Sequence, residues 1–289
     1  MRSGFVSLVG RPNVGKSTLI NAILGTKVSI VSDKPQTTRT QIRGVLNRPE
    51  GQIVFVDTPG IHRPRTPLGE RINKTASDAL SGVDVVALVV DATARIGPGD
   101  RFVAQRVPAD AVVIVNKIDL ASPDEVLGQL ARAAEQLDLG EYFAVSAATG
   151  EGVPGLVQHF LDRLPDGPQY YPDDMITDVP EAFWVAELVR EQLLAATHDE
   201  LPHSIAVVVE EMRLREDRPE GKPLLDVHAN LFVERDSQKG IVIGHKGAVL
   251  KQVGIAVREQ LPKGAFLELF VKVEKDWQRR HHALERLGY

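Results

Sequence analysis

The segment Gly10-Arg11-Pro12-Asn13-Val14-Gly15-Lys16-Ser17 constrains this chain more than any other stretch. It matches G-x-x-x-x-G-K-[ST], follows the apolar run Phe5 to Val9 directly, and opens a helix-like segment, Lys16 to Leu24. A strand that breaks into a glycine-bearing turn and then a helix can wrap a chain of phosphates. Backbone N–H groups converge in the turn, and the helix N-terminus adds a favourable dipole. Gly10 and Gly15 permit the wrap, Arg11, Pro12, Asn13 and Val14 form its body, Lys16 can reach the outer phosphates, and the Ser17 hydroxyl suits Mg²⁺.

Four more short apolar runs follow: Ile53 to Val56, Val85 to Val90, Val112 to Val115 and Phe143 to Val145. Between them lie Leu68 to Leu80, Arg101 to Arg106, Asp124 to Leu137 and Val153 to Leu164, long enough for crossover helices. The alternation predicts a doubly wound, mostly parallel α/β sheet over residues 1–166. The stretch from Pro165 to Pro180 carries four prolines and no apolar periodicity, which predicts an extended linker, bounded at 167–181.

Residues 182–289 change pattern. A helix (Ala182 to Ala196), two strands (Ser204 to Leu214, Leu224 to Val233), helix-like segments on either side of Gly244-His245-Lys246-Gly247, a strand (Phe266 to Val273) and a helix from Asp276 predict a smaller α+β domain. At 289 residues and 43% hydrophobic content the chain can bury two cores.

The absence of cysteine excludes a disulfide scaffold, cysteine-ligated zinc, iron–sulfur clusters and thiol catalysis. No leader-like stretch precedes the first strand, and the apolar runs fall short of the roughly 20 residues that cross a bilayer. A non-secreted protein is therefore expected. Net charge is −5, yet residues 239–289 hold ten Lys/Arg against five Asp/Glu, a basic end that suits a polyanion. Within it, Arg279-Arg280 and His281-His282 read as a solvated helix face.

Three segments beyond the first loop carry nucleotide chemistry. Asp57-Thr58-Pro59-Gly60 ends a buried strand, where a carboxylate can hold Mg²⁺ through water and the Gly60 N–H can meet a γ-phosphate. Asn116-Lys117-Ile118-Asp119 ends another. The Asp119 carboxylate can accept from the N1–H and exocyclic amine of guanine, a donor pair adenine lacks. Ser146-Ala147-Ala148 ends the last, where a backbone N–H can meet guanine O6. All lie at strand C-termini, the edge where open α/β sheets bind ligands.

With these four segments in order, the chain resembles the translation-factor-like P-loop GTPases. Asp33-Lys34-Pro35-Gln36-Thr37-Thr38-Arg39-Thr40 beside Gly-Arg-Pro-Asn-Val-Gly-Lys-Ser looks like the Era branch. The α-β-β-α-α-β order around Gly244-His245-Lys246-Gly247 looks like a bacterial-type KH domain, whose GxxG loop clamps single-stranded RNA. Gly244 and Gly247 would let phosphates approach, and His245, Lys246 and Lys251 would add positive charge. Ile241 and Ile243 either line the RNA groove or fill the core, with core expected for at least one; Ile243 is kept as an RNA-site candidate.

The resemblance implies GTP and GDP as ligands, Mg²⁺ held by Ser17, Asp57 and a switch threonine, and hydrolysis involving Lys16, Gly60 and Asn13. Thr38 is the candidate switch threonine by the family's pattern, with Thr37 and Thr40 as competitors. Related GTPases with Asn at the place of Asn13 use a bound K⁺; the other reading is that Asn13 hydrogen-bonds its loop. Ile61 stands where a Ras-like enzyme carries a water-orienting Gln, which predicts slow intrinsic turnover. The resemblance further implies a cytoplasmic, monomeric factor of small (30S) subunit assembly that binds near the 3′ end of 16S ribosomal RNA. Peripheral contact with the inner face of the cell membrane stays open. The alternatives are an RNA-binding GTPase acting on tRNA modification or the large subunit, and an RNA-binding module whose nucleotide pocket mainly senses.

Overall fold

The computed structural model describes residues 1–61, 64, 66–197, 201–215 and 225–289. The chain divides into two compact units, Met1–Asp178 apart from Thr66–Leu68, and Val179–Tyr289.

The first unit holds six strands: β1 (Arg2–Gly10), β2 (Ile42–Arg48), β3 (Gly51–Asp57), β4 (Val85–Asp91), β5 (Val112–Asn116) and β6 (Glu141–Ala144). Their order is β2-β3-β1-β4-β5-β6, parallel throughout except for β2 against β3. The helices are α1 (Lys16–Leu24), α2 (Pro67–Asp78), α3 (Pro98–Ala104), α4 (Pro123–Leu137) and α5 (Val153–Arg163). An unbroken apolar strand is what a sheet covered on both faces requires. Val85, Ala87 and Val89 join the core with Leu19, Ile20, Leu156 and Phe160, while Val86, Leu88 and Val90 face the core with Val103, Ala133 and Leu137.

Strand β2 is a correction to the sequence reading, which recognised five strands. Its residues Ile42-Arg43-Gly44-Val45-Leu46-Asn47-Arg48 carry a glycine and two charges, so the apolar run that marks a doubly covered strand is missing. It is the antiparallel edge strand, where such residues are tolerated.

The proline-rich stretch is extended and anchored. The Ser3 N–H donates to Pro165 O, the Tyr170 and Tyr171 N–H groups donate to Gln52 Oε1 (2.8 and 3.0 Å), and Gln52 Nε2 donates to Tyr171 O (2.8 Å). Farther along, the Val45 N–H donates to Ile176 O at 2.7 Å and Thr177 Oγ1 donates to Arg43 O at 2.6 Å. The strap thus covers groups that edge strand β2 would otherwise present to water.

The second unit contains α6 (Glu181–Ala196), β7 (Ala206–Leu214), β8 (Leu225–Val233), α7 (Asp236–Ile243), α8 (Ala248–Arg258), β9 (Phe266–Val273) and α9 (His281–Arg286). Strands β7 and β8 are antiparallel, β8 and β9 parallel. Leu188, Val189 and Leu193 of α6 share a core with Val227, Leu231, Val242, Val253 and Val257. Asp236–Arg258 is apolar and long enough to suggest a membrane span by composition alone. It breaks at Gly244 and Lys246, so it forms two short helices on a sheet instead.

The last helix also departs from expectation. Asp276 is left-handed (φ 50°), Trp277–Arg279 form a 3₁₀ turn, and α9 starts only at His281. Trp277 is fully buried with its indole N–H donating to Ser204 O at 2.9 Å, and this anchor fixes the turn. Arg279, Arg280, His281 and His282 are exposed, as a solvated face would be.

Candidate functional site

The loop after β1 is shaped by backbone that few side chains tolerate. Gly15 has φ 94°, and a Cβ there would lie 2.3 Å from Asn116 Nδ2. A Cβ on Gly10 would meet Val89 O at 2.5 Å. Asn13 holds φ 66° without being glycine, a conformation asparagine accepts more readily than most residues. Its side-chain amide donates to Asp33 O at 2.6 Å, so Asn13 ties the loop to the segment that carries the threonines, rather than to the loop itself.

Lys16 begins α1 and is buried, its ammonium donating to Arg11 O (3.1 Å) and Gly10 O (3.4 Å). Burial pulls its pKa down to about 8, against an opposing pull from Asp57. Asp57 is buried in turn; burial raises its pKa, while hydrogen bonds from Ser29, Ser17 and Thr38 and the charge of Lys16 act the other way. Its Oδ2 accepts from Ser17 Oγ (2.7 Å) and Ser29 Oγ (2.6 Å), and Thr38 Oγ1 is 3.4 Å away. Ser17 Oγ and Thr38 Oγ1 are 3.0 Å apart.

Of the three threonines left open, Thr38 is the one brought to Ser17 and Asp57. Thr37 turns its hydroxyl to Lys34 O at 2.7 Å. Asp57 Oδ1 is buried and has no hydrogen-bond partner among the described residues. One carboxylate with an unsatisfied oxygen and the Ser17 and Thr38 hydroxyls, 2.7 and 3.4 Å from its other oxygen, make a donor set of hard oxygens that Mg²⁺ fits. A cavity of about 290 Å³ is lined by Ser17 and other loop residues, by Thr37 and Thr38, and by Gly60 and Lys117.

Gly60 sits directly on the loop, since a Cβ there would lie 2.6 Å from Pro12 N. Pro59 and Thr58 are buried, and the Thr58 hydroxyl donates to Leu8 O at 2.6 Å, which directs it into the sheet. Ile61 donates its N–H to Gly10 O at 3.2 Å and buries its side chain in the core with Val9 and Leu88. An isoleucine so placed has no group with which to orient a water molecule.

On the base side, Asn116 joins three loops. Its Nδ2 donates to Val14 O (2.9 Å) and its Oδ1 accepts from the Ala147 N–H (3.0 Å). Lys117, with φ 68°, donates to Asn13 O (2.8 Å) and pairs with Asp91 at 2.6 Å. The exposed Asp119 accepts from the Ser146 hydroxyl at 2.5 Å, with Ala148 exposed nearby in sequence. Every nucleotide-site residue named from the sequence therefore lies along one edge of one sheet.

Sequence reading missed three supports. Asp91 fixes Lys117, Asp100 of α3 holds Arg11 at 2.7 Å, and Ser29 reaches Asp57. Asp91 ends a strand at that same edge and could have been found by its position; Asp100 and Ser29 carry no local signal.

In the second unit, Gly244 (φ 74°), His245, Lys246 (φ 50°) and Gly247 (φ 79°) form the turn between α7 and α8. Nothing lies within 4 Å of a Cβ built on Gly247, so its backbone faces open space. His245, Lys246 and Lys251 are exposed. The expectation of a core role for Ile241 or Ile243 is not met: Val242 is the buried member, Ile241 is 57% exposed and Ile243 is half-buried. A helix this short on a sheet buries one narrow stripe, and Val242 occupies it.

Comparison with known proteins agrees with both units. A family model described as 50S ribosome-binding GTPase matches residues 5–117, and a KH domain model matches residues 200–278. The chain is 52% identical over 301 residues to GTPase Era of Nocardioides sp., covering 100% of this chain and 96% of that protein. Against GTPase Era of Streptomyces coelicolor it is 50% identical over 302 residues, covering 100% and 95%. The chain belongs to the Era GTPase family.

Solved Era structures superpose along the whole chain. An Era in complex with MgGDPNP and nucleotides 1506–1542 of 16S ribosomal RNA gives a TM-score of 0.94 at 39% identity, covering 100% of this chain and 99% of that one. A variant of Aquifex aeolicus Era bound to GDP·AlF₄⁻ gives 0.93 at 38%, with the same coverage. The full-length matches cover both the loop edge of the first sheet and the turn between α7 and α8.

Proposed function

We propose that this chain hydrolyses GTP and binds RNA as a 30S subunit assembly factor, recognising single-stranded RNA near the 3′ end of 16S ribosomal RNA. The observation that carries the reading is the full-length likeness to an Era solved with a GTP analogue, magnesium and that RNA segment. The 50S description attaches to a model that ends at residue 117, so it bears on the nucleotide unit and not on the RNA surface.

Each residue has a role in this reading. Backbone N–H groups from Gly10 to Ser17 bind the phosphates, and Lys16 leaves the carbonyls of Gly10 and Arg11 to meet them. Ser17, Thr38 and, through water, Asp57 hold Mg²⁺, which supplies charge neutralisation as negative charge spreads over the γ-phosphoryl oxygens. The Gly60 N–H meets the γ-phosphate. Asp119 selects guanine, Asn116 locks the three loops around the base, and Ser146, Ala147 and Ala148 close its far side. With Ile61 buried, no side chain at that position directs the attacking water, and intrinsic turnover is slow. Replacing K⁺ by Na⁺ during turnover tests whether Asn13 adds a cation site to its bond with Asp33.

Gly247 admits an RNA phosphate to its open backbone, His245, Lys246 and Lys251 attract it, and Ile243 with Gly244 borders the bases. The reading includes a cytoplasmic monomer, with peripheral membrane contact as a separate question for vesicle sedimentation. The decisive experiment measures affinity for a short RNA copying the 3′ end of 16S ribosomal RNA, with a GTP analogue and with GDP, at one stated salt concentration. Tight binding that exceeds scrambled RNA and strengthens with the analogue is expected. Equal affinity for scrambled RNA would defeat the ribosomal assignment.

A further inference from the structure

Ser29 lies outside every motif of the sequence, in the segment that leaves α1. Asn21, on the last turns of α1, grips that segment at three points. Its Oδ1 accepts from the N–H groups of Val28 (2.9 Å) and Ser29 (3.1 Å), and its Nδ2 donates to Ser29 O (2.8 Å). The grip presents a fully buried hydroxyl to Asp57, with Ser29 Oγ donating to Oδ2 at 2.6 Å.

Three hydroxyls thus surround one carboxylate oxygen, and they are not equivalent. Ser17 and Thr38 line the cavity and are the groups a metal would recruit. Once their oxygen lone pairs face a cation, they can still donate their protons to Asp57, but the position of those hydroxyls is then set by the cation as well as by the protein. Ser29 approaches from the protein interior, where no cation competes for it. The terminal torsion of an aspartate is soft, so without an interior donor the carboxylate could swing away from the cavity.

We infer that Ser29, held by Asn21, is a positioning residue that keeps the Asp57 carboxylate aimed at the Ser17 and Thr38 hydroxyls whether or not a metal is bound. This rests on the proposed reading of Ser17, Thr38 and Asp57 as the Mg²⁺ site. Removing an outer-shell partner of a metal-ligating group lowers metal affinity by about 10- to 100-fold. The affected quantity is the free Mg²⁺ concentration needed to retain nucleotide, and it moves independently of the hydrolytic rate.

The test loads the full chain with a fluorescent GDP and follows its release as free Mg²⁺ is raised from chelator-buffered to millimolar. Ser29→Ala should shift the Mg²⁺ midpoint upward by about tenfold and leave release in chelator unchanged, since the phosphate loop is intact. Ser29→Thr, which restores the hydroxyl, should return the midpoint toward wild type. Asn21→Ala keeps the hydroxyl but frees the segment, and should shift the midpoint the same way. A folded Ser29→Ala protein with the wild-type midpoint would overturn the inference. Should Ser29→Ala fail to fold, an Asn21→Ala protein with an unchanged midpoint would overturn it equally. If wild-type release ignores Mg²⁺, the metal reading itself fails, which the wild-type curve alone reveals.

Discussion

The turn between α7 and α8 separates charge from strain at single glycines, and its substitutions can be ranked in advance. Gly247 has φ 79°, and a Cβ there meets nothing within 4 Å. Gly247→Ala therefore suffers only the left-handed backbone penalty, about 1–2 kcal/mol. Gly244 pairs φ 74° with ψ 173°, a region essentially only glycine occupies, and its Cβ would lie 2.5 Å from Val249 Cγ2 and 2.9 Å from Val249 N. Gly244→Ala adds a backbone clash at the start of α8 and should lose about 3 kcal/mol or more of stability. Gly247→Asp has the strain of Gly247→Ala plus an anionic group where an RNA phosphate would approach, between exposed His245, Lys246 and Lys251.

Excluding one phosphate contact and repelling its charge should weaken RNA binding by about 2–3 kcal/mol, some 30- to 150-fold. Chemical denaturation gives the stability order wild type, then Gly247→Ala and Gly247→Asp together, then Gly244→Ala. Fluorescence anisotropy with a single-stranded RNA, repeated at two salt concentrations, gives the binding. Gly247→Asp should bind far more weakly than Gly247→Ala at equal stability, and the salt dependence should flatten as a phosphate contact is lost. Equal RNA affinity for those two variants would refute the assignment of this turn to the phosphate backbone.

Other substitutions test the nucleotide edge. Lys16→Ala should abolish GTP hydrolysis with the fold retained, because among the described residues the ammonium donates only to Gly10 O and Arg11 O; a folded variant with normal turnover would remove Lys16 from the mechanism. Asp119→Asn should lower GTP affinity and raise xanthosine nucleotide affinity, since one acceptor becomes a donor, as competition binding would report. Retained guanine preference would move the base pocket elsewhere. For Asp91, burial raises the carboxyl pKa, but hydrogen bonds from Lys117 and Thr93 outweigh it and hold the group below its ordinary value. The stability this adds is present above about pH 4, the unfolded value, and is lost as pH falls through the lower folded value. Urea unfolding of nucleotide-free protein should show wild type exceeding Asp91→Asn by about 1 kcal/mol at pH 7, the gap closing in acid. A gap constant down to acid pH would contradict the ion pair.

What the sequence made legible was whatever had a local signature. The buried parallel strands declared themselves as apolar runs because both sheet faces are covered, and each nucleotide segment follows one of those runs directly. Edge strand β2 escaped because an edge needs no such run. The strap from Pro165 to Asp178 read as a bare linker because its attachment depends on Gln52, whose side chain accepts from and donates to backbone more than a hundred residues away. Long-range pairing of that kind leaves no periodicity. The exposure of Ile241 and Ile243 is illegible for the converse reason, since two isoleucines flanking a valine look alike until the helix has a face.

The strap and the switch segment share one strand, and that gives the first unit a mechanical consequence. Thr38 is four residues from the start of β2, and the strap bonds to β2 at Arg43 and Val45. Beyond the strap's last bonded residues, the chain passes at Val179 into the unit that carries the GxxG turn. On the proposed reading of Thr38 as a metal ligand, a shift of that residue would either be absorbed between Thr38 and Ile42 or be passed to the strand residues that hold the strap. Six side-chain and backbone hydrogen bonds from Gln52, Val45, Thr177 and Asn47 oppose free slippage there. At Gly44 a Cβ would lie 2.4 Å from Leu24 Cδ1, and the same residue bridges Thr177, so α1, β2 and the strap meet closely at one position.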